Sequence, residues 1–216
     1  MRMRRLKWAE DYLKTSPSRI MEPEKVKGRW KRKLKTDGAL HVEIGAGKGS
    51  YSHDMARMNP EDGFIAIEKN ESAAGMISKK YDESPLPNLK MIYGDATDLR
   101  NWFQNREADI IHLNFSDPWP KRRNAKRRLS SPAFLDQYRD ILSEEGEIWM
   151  KTDNSSLFEY SILQMLQAGF ELIDFSVDYR RDEHPEDAIT EYERKFMEAG
   201  NPIYRSVWKK GRRKND

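Results

Sequence analysis

The chain has 216 residues, 35% of them charged and 37% hydrophobic. Its mean hydropathy is −0.94, yet aromatics and periodic apolar runs are too frequent for a disordered chain. There is no cysteine, which excludes disulfides, thiolate nucleophiles and cysteine metal sites, and no apolar run approaches the ~20 residues of a membrane span. The basic first residues lack the apolar stretch of a secretory signal, so a cytoplasmic location is expected. The length suits one domain that buries roughly 70% of its extended surface.

A net charge of +3 hides an uneven distribution. Residues 1–35 hold thirteen Lys and Arg against four Asp and Glu, while 121–128 and 205–214 contribute six positive charges each. The rest of the chain is therefore strongly acidic. Clustered cations on an acidic body attract phosphate and steer a polyanion to one face. At the termini the competing expectation is a loose basic tail. An anionic membrane surface is disfavoured, because none of these stretches has the apolar face of an interfacial helix.

In chain order, Pro23 opens a short basic helix over 23–35, with Val26, Trp30 and Leu34 at spacing four. ALHVEIG (39–45) reads as the first strand, and a helix with Tyr51, Met55 and Met58 follows. GFIAIEK (63–69) is the second strand, 71–81 a helix, LKMIYGD (89–95) the third strand and ADIIHLNFS (108–116) the fourth. Residues 132–142 form a helix, GEIWMKTD (146–153) the fifth strand, and 156–169 a helix stopped by Gly169. FELIDFSVDY (170–179) and IYRSVWKK (203–210) are the last strands, separated by a polar segment with one short helix. The alternation predicts an α/β, three-layer, Rossmann-like fold on a seven-stranded, mostly parallel sheet with an antiparallel last strand.

The turn Glu43-Ile44-Gly45-Ala46-Gly47-Lys48-Gly49 follows the first strand. Its G-x-G-x-G spacing is neither the dinucleotide fingerprint nor a P-loop. Acids end the next strands: Glu68, Asp95 and, just beyond the fourth, Asp117. Ligands of open α/β sheets sit at the carboxyl ends of strands, so these three and Glu43 are expected to line one crevice. Glu68 is placed for a ribose diol, Asp95 for an adenine amino group and Glu43 for an ammonium. So many carboxylates would repel a phosphate-rich cofactor and suit S-adenosyl-L-methionine.

The order of these motifs resembles a class I S-adenosylmethionine-dependent methyltransferase. Asn114-Phe115-Ser116-Asp117-Pro118-Trp119-Pro120-Lys121, with the basic run 123–128, Lys151-Thr152-Asp153 and Thr190-Glu191-Tyr192-Glu193, resembles the bacterial tRNA (guanine-N7)-methyltransferase family. That resemblance implies methyl transfer to N7 of a guanosine in the variable loop of tRNA, usually position 46. It implies a basic N-terminal arm and helix over 1–35 and a methyltransferase domain over 36–216. It assigns Glu43, Gly45, Gly47, Gly49, Glu68, Asp95, Ala96 and Asp117 to the cofactor, with Asp117 as the catalytic placement residue. Lys121, Arg123, Asn124, Lys126, Arg127, Arg128, Asp153, Thr190, Glu191, Tyr192 and Glu193 fall to the substrate. Relatives occur as monomers and as homodimers, and no metal or membrane is implied.

Guanine N7 already carries a lone pair, so a site without an evident base is adequate. His41 and His112 read as structural histidines within strands, and His53 and His184 as surface residues. Trp119 either stacks on substrate or packs its loop. Two other readings are a methyltransferase for another RNA or for a base amino group, and a non-catalytic RNA-binding protein on the same fold. A NAD-dependent oxidoreductase is opposed by the glycine spacing.

Overall fold

Leu40–Ile44 (β1) is buried at every position, as expected of a central strand covered on both faces. The computed structural model describes residues 5–211. In it β1 pairs in parallel with β2 (Gly63–Glu68) on one side and with β4 (Ala108–Asn114) on the other. With β3 (Leu89–Tyr93), β5 (Leu142–Thr152), β6 (Glu171–Ser176) and β7 (Tyr204–Lys209), the sheet order is β3-β2-β1-β4-β5-β7-β6. β7 runs antiparallel to both of its neighbours. The strand order reverses between β1 and β4, which places a ligand crevice at their carboxyl ends.

The period of two along the strands divides the core. Leu40, Val42, Ile44, Ile65 and Ile67 pack into one cluster with Leu135, Tyr138, Leu157 and Met165, from α6 (Pro132–Ile141) and α7 (Ser155–Gln167). Phe64 and Ala66 face the other side, against Tyr51, Met55, Ile77 and Tyr81 of α3 (Ser50–Met58) and α4 (Glu71–Glu83). His41 and Glu43 take the alternate positions of β1, so both point to the α3 side.

Three elements differ from expectation. The helix expected over 23–35 is interrupted at Gly28 (φ 75°), a backbone state a helix does not accept. It splits into a single 3₁₀ turn at Pro23–Lys25 and α2 (Trp30–Leu34). Leu142 opens β5 and pairs with Ala108 instead of closing α6. A helix absent from the sequence reading, α1 (Lys7–Leu13), buries Ala9 and Leu13. Leu6 N–H donates to Ser72 Oγ at 2.9 Å, which ties α1 to α4. Beyond it, Ile20 N–H donates to Met91 O at 2.9 Å, adding a short bridge at the edge of β3. Residues 7–20 are thus packed, not a loose tail. At the other end, Arg205 pairs with Asp174 and Lys209 with Glu145, so these cations are committed within the sheet. Arg212, Arg213 and Lys214 lie outside the described residues, as do Arg2 and Arg4.

Candidate active site

Gly45, Gly47 and Gly49 in the turn after β1 have φ of 78°, 59° and 73°, a region that residues with a Cβ enter only with strain. Two of these glycines serve different ends. A Cβ on Gly47 would have no atom within 4 Å, so the turn leaves space for a bound group there. One on Gly49 would meet the Tyr81 hydroxyl at 2.9 Å, so glycine lets the start of α3 settle against α4. Glu68 fastens the turn from below. Its Oε2 accepts from Gly47 N–H at 2.9 Å and its Oε1 from Asn70 N–H at 2.7 Å. Burial raises the Glu68 carboxyl above its ordinary range, against the pull of those amides.

The turn is one wall of a cleft that is partly open to solvent. Glu43, Gly45, Gly47 and Gly49 line this wall, with Asn114 and Phe115 at the end of β4. Thr190, Glu191, Tyr192 and Lys195 form the facing wall, at the start of α8 (Glu191–Glu198). Glu43 is buried, accepting from Ser52 Oγ at 2.6 Å and from Asn114 Nδ2 at 3.1 Å. Burial raises its carboxyl, with those two bonds and the Lys151 charge opposing.

The other expected residues stand around this cleft rather than on its lining. Asp95 caps the turn after β3, accepting from Thr97 N–H at 3.0 Å, and lies 3.7 Å from Lys69 Nζ. The Ala96 side chain belongs to the core. Asp117 is exposed and Asp153 half-buried. Both act on the Tyr192 hydroxyl, which burial first and then these two charges shift upward. Of the three groups, Tyr192 is the one that lines the cleft.

The segment after β4 is strained. Phe115 and Trp119 have φ of 48° and 41°, uncommon for bulky residues and typical of functional loops. Phe115 N–H donates to Lys151 O at 2.8 Å, and the Phe115 ring lies 5.5 Å from that of Tyr192. Arg128 holds the far end, donating to Pro118 O at 2.9 Å and Trp119 O at 3.1 Å. Arg127 stacks over the Trp119 ring at 4.3 Å, so Trp119 packs within its loop. The Arg128 guanidinium is thereby engaged with its own loop through Nε and Nη2. The side chains of Lys121, Arg123 and Lys126 are exposed and make no hydrogen bond or ion pair among the described residues. Asn124 sits half-buried in the same 3₁₀ turn.

Glu193 stands off the cleft lining. It is fully buried, with both oxygens engaged by Lys151 and Arg180, and so is not presented to a substrate. Its partner in the helix cap is Thr190, whose Oγ1 accepts from Glu193 N–H at 2.8 Å. Glu191 instead bridges the cleft. It lies 2.9 Å from Lys48 Nζ and accepts from Ser50 Oγ at 3.0 Å. With the Lys48 hydrogen bond the largest cause, its carboxyl is held down at about 2.

His41 and His112 are buried and joined Nδ1 to Nε2 at 2.9 Å. His53 differs from the surface position expected: it is buried and pairs with Ser84 O at 2.9 Å. Sequence reasoning did not single out Lys195, although it lies one helical turn beyond Glu191 and Tyr192, a spacing that sets all three on one face.

The cleft settles which kind of nucleotide it suits. A pyrophosphate in it would face the Glu43 carboxyl on its lining, whereas a cofactor carrying a sulfonium and an ammonium would be favoured there. The fold and this cleft make the protein a class I methyltransferase that uses S-adenosylmethionine. Residues 37–206 match a protein-family model described as a putative methyltransferase. The tRNA (guanine-N(7)-)-methyltransferase of Exiguobacterium sibiricum is 44% identical over 206 residues, covering 95% of this chain and 97% of that protein. The protein of the same name from Streptococcus mutans is 42% identical, covering 95% and 98%. Among solved structures, the 16S rRNA methyltransferase KamB superposes with a TM-score of 0.65 at 16% identity, over 85% of this chain and 93% of that one. The chain belongs to the tRNA (guanine-N(7)-)-methyltransferase family.

Proposed function

We propose that this protein transfers the methyl group of S-adenosyl-L-methionine to N7 of a guanosine in tRNA, at position 46 of the variable loop. The observation that carries the reading is identity above 40%, along 95% of the chain, to proteins that bear this activity in their names. The cleft agrees with it. Glu68 keeps acceptor capacity beyond its two backbone bonds and is suited to a ribose diol. Glu43 offers a buried carboxylate to the ammonium, and Asp95 is suited to the adenine edge.

When bound, the cofactor supplies an electrophilic methyl on a sulfonium. Guanine N7 attacks through a lone pair that lies in the ring plane, so no proton has to leave first and no general base is required. The work left to the protein is alignment and electrostatics. Asp117 and Asp153, whose charges are both felt at the Tyr192 hydroxyl on the cleft wall, are suited to favour a purine becoming cationic. Phe115 and Tyr192 present rings on which a base can stack. Lys121, Arg123 and Lys126 extend outward from Asp117 and are free to meet phosphate. Among the described residues no helix is long and apolar enough to cross a membrane.

The test is transfer of tritiated methyl from S-adenosylmethionine to an unmodified tRNA transcript, followed by nucleoside analysis. The expected product is 7-methylguanosine, absent when guanosine 46 is replaced by adenosine. Label in another nucleoside would overturn the assignment.

A further inference from the structure

The wall that faces the glycine turn is not part of the sheet. It comes from the connection between β6 and β7, so something other than strand pairing must hold it in place. Lys151, near the end of β5, donates to Asp187 Oδ2 at 2.6 Å, Glu193 Oε2 at 3.1 Å and Ala188 O at 3.2 Å. Arg180 donates through Nε to Glu193 Oε1 and through Nη2 to Asp187 Oδ2, both at 2.6 Å. The four side chains are 3%, 6%, 4% and 0% exposed for Lys151, Arg180, Asp187 and Glu193. Two cations and two anions thus form a neutral cluster removed from water. Tyr51 joins it, donating to Asp187 Oδ1 at 2.9 Å, and its hydroxyl also lies 3.2 Å from His112 Nδ1.

A buried cluster of this kind is a weak source of stability, because well-packed apolar side chains of the same volume do as well or better. What it does supply is geometry. The planar fork of Arg180 fixes two carboxylates at once. Those carboxylates sit at the two ends of 187–193, and Thr190, Glu191 and Tyr192 lie between them on the cleft. Apolar packing would let this segment slide along β5, whereas directional charged hydrogen bonds to several fixed partners do not.

We propose that Arg180, Lys151 and Asp187 are positioning residues for methyl transfer: with Glu193 they fix residues 188–192 at a set distance across from the glycine turn. None of the three touches a reacting atom in this account. The kinetic part of the inference rests on the methyl-transfer reading above, whereas the structural part does not.

Two variants of the full-length chain test it. Arg180→Lys keeps the positive charge but cannot span both carboxylates. Tyr51→Phe deletes one oxygen from the cluster and keeps the ring. Amide hydrogen exchange over 187–196 is measured by mass spectrometry, beside a thermal melt and steady-state kinetics on tRNA transcript. In both variants exchange of that peptide should speed up at least tenfold, and kcat should fall at least tenfold at saturating tRNA and cofactor, with KM changed less than threefold. Ile141→Val, a core change in α6 remote from the cluster, provides a variant of lowered stability whose kcat should stay at the wild-type value. Faster exchange with unchanged kcat would overturn the proposal, since the wall would then be free to move without consequence. A fall in kcat with unchanged exchange would also overturn it, because the residues would be acting some other way. If Arg180→Lys fails to fold, the same two readouts on Tyr51→Phe decide. If the wild type itself transfers no methyl to tRNA, the functional reading fails by itself, and exchange together with S-adenosylmethionine affinity still judges whether the cluster holds the wall.

Discussion

Glu68→Gln separates what Glu68 does for the glycine turn from what it does for a ligand. The carboxylate accepts from Gly47 N–H and Asn70 N–H through different oxygens. In glutamine one of those oxygens becomes an NH₂ group facing an N–H, so one charged bond disappears and a donor is left unpaired. A hydrogen bond to a charged group is worth about 1.5–3 kcal/mol, and an orphaned buried donor costs about 1–3 kcal/mol. Relief from burying an ionised carboxylate offsets part of this, since burial already raises its pKa. The net loss of fold stability should be about 1–3 kcal/mol. S-adenosylmethionine should bind about 10- to 150-fold more weakly, the equivalent of one charged acceptor bond of about 1.5–3 kcal/mol. Calorimetric titration beside a thermal melt reads both quantities. A cofactor analogue without the ribose hydroxyls distinguishes the causes, because it should bind wild type and variant alike if the variant's defect lies at the ribose. Wild-type affinity for the natural cofactor in Glu68→Gln would refute the ribose role, and an equal weakening for the analogue would assign the effect to the turn.

Three further outcomes are expected. Asp117→Asn should melt within a few degrees of wild type, because Asp117 is exposed, but turn over about 10²-fold more slowly in single-turnover reactions on saturating tRNA; a normal rate would remove it from the reaction. Arg123→Ala/Lys126→Ala/Arg127→Ala should lower the slope of log K for tRNA against log salt by about 0.7–0.9 for each phosphate no longer neutralised, leaving cofactor affinity unchanged, whereas Arg128→Ala should weaken cofactor binding or turnover as well, since it pins the strained loop; equal slopes in wild type and the triple variant would assign RNA binding elsewhere. Glu191 has a folded-state pKa of about 2 against an ordinary 4.5, so its contribution to stability is full above about 4.5 and is lost as pH falls toward 2. Its side chain is half exposed, which limits that contribution to about 1 kcal/mol or less. Glu191→Gln should therefore differ from wild type by at most that amount at neutral pH and match it near pH 2 in urea titrations; a gap that widens in acid would contradict the ion pairing.

The strands are legible because burial imposes a period of two and long apolar runs on them, and the carboxyl-end acids follow once their order is assigned. Local pattern says less about the connections. α1 leaves Lys7, Trp8 and Asp11 exposed, and only its packing against α4 explains why so short a helix is ordered. Gly28 breaks a run whose apolar spacing is otherwise helical. Within the site, sequence can nominate Thr190 to Glu193 as a group but cannot separate the member that faces the cleft from the one that faces away. That separation depends on Lys151 and Arg180, which lie 42 and 13 residues from Glu193 in the chain. Arg128 is by pattern one of a run of equivalent cations, yet its role is set by two carbonyls that the strained loop turns toward it.

The charges also divide by distance from the cleft. A tRNA methyltransferase must hold a cationic cofactor and a polyanion side by side, and with a net charge of only +3 the whole molecule gives little steering. Local patches must supply it, and at physiological salt a charge is felt over about 8 Å. The run 121–128 begins four residues after Asp117, so in the proposed reading its cations would serve the RNA near the carboxyl end of β4, and the buried Glu43 and Glu68 carboxyls the cofactor. Residues 25–35 stand elsewhere: Lys31 pairs with Asp109 at 2.8 Å, at the amino end of β4. That strand has seven residues and so carries them roughly 20 Å from its carboxyl end, more than two screening lengths away. Lys31 is thus too far away to assist a guanosine at the cleft. If it touches the same tRNA, it touches a distant part of it, and its contribution falls on affinity and salt dependence without entering the rate of methyl transfer once the RNA is bound.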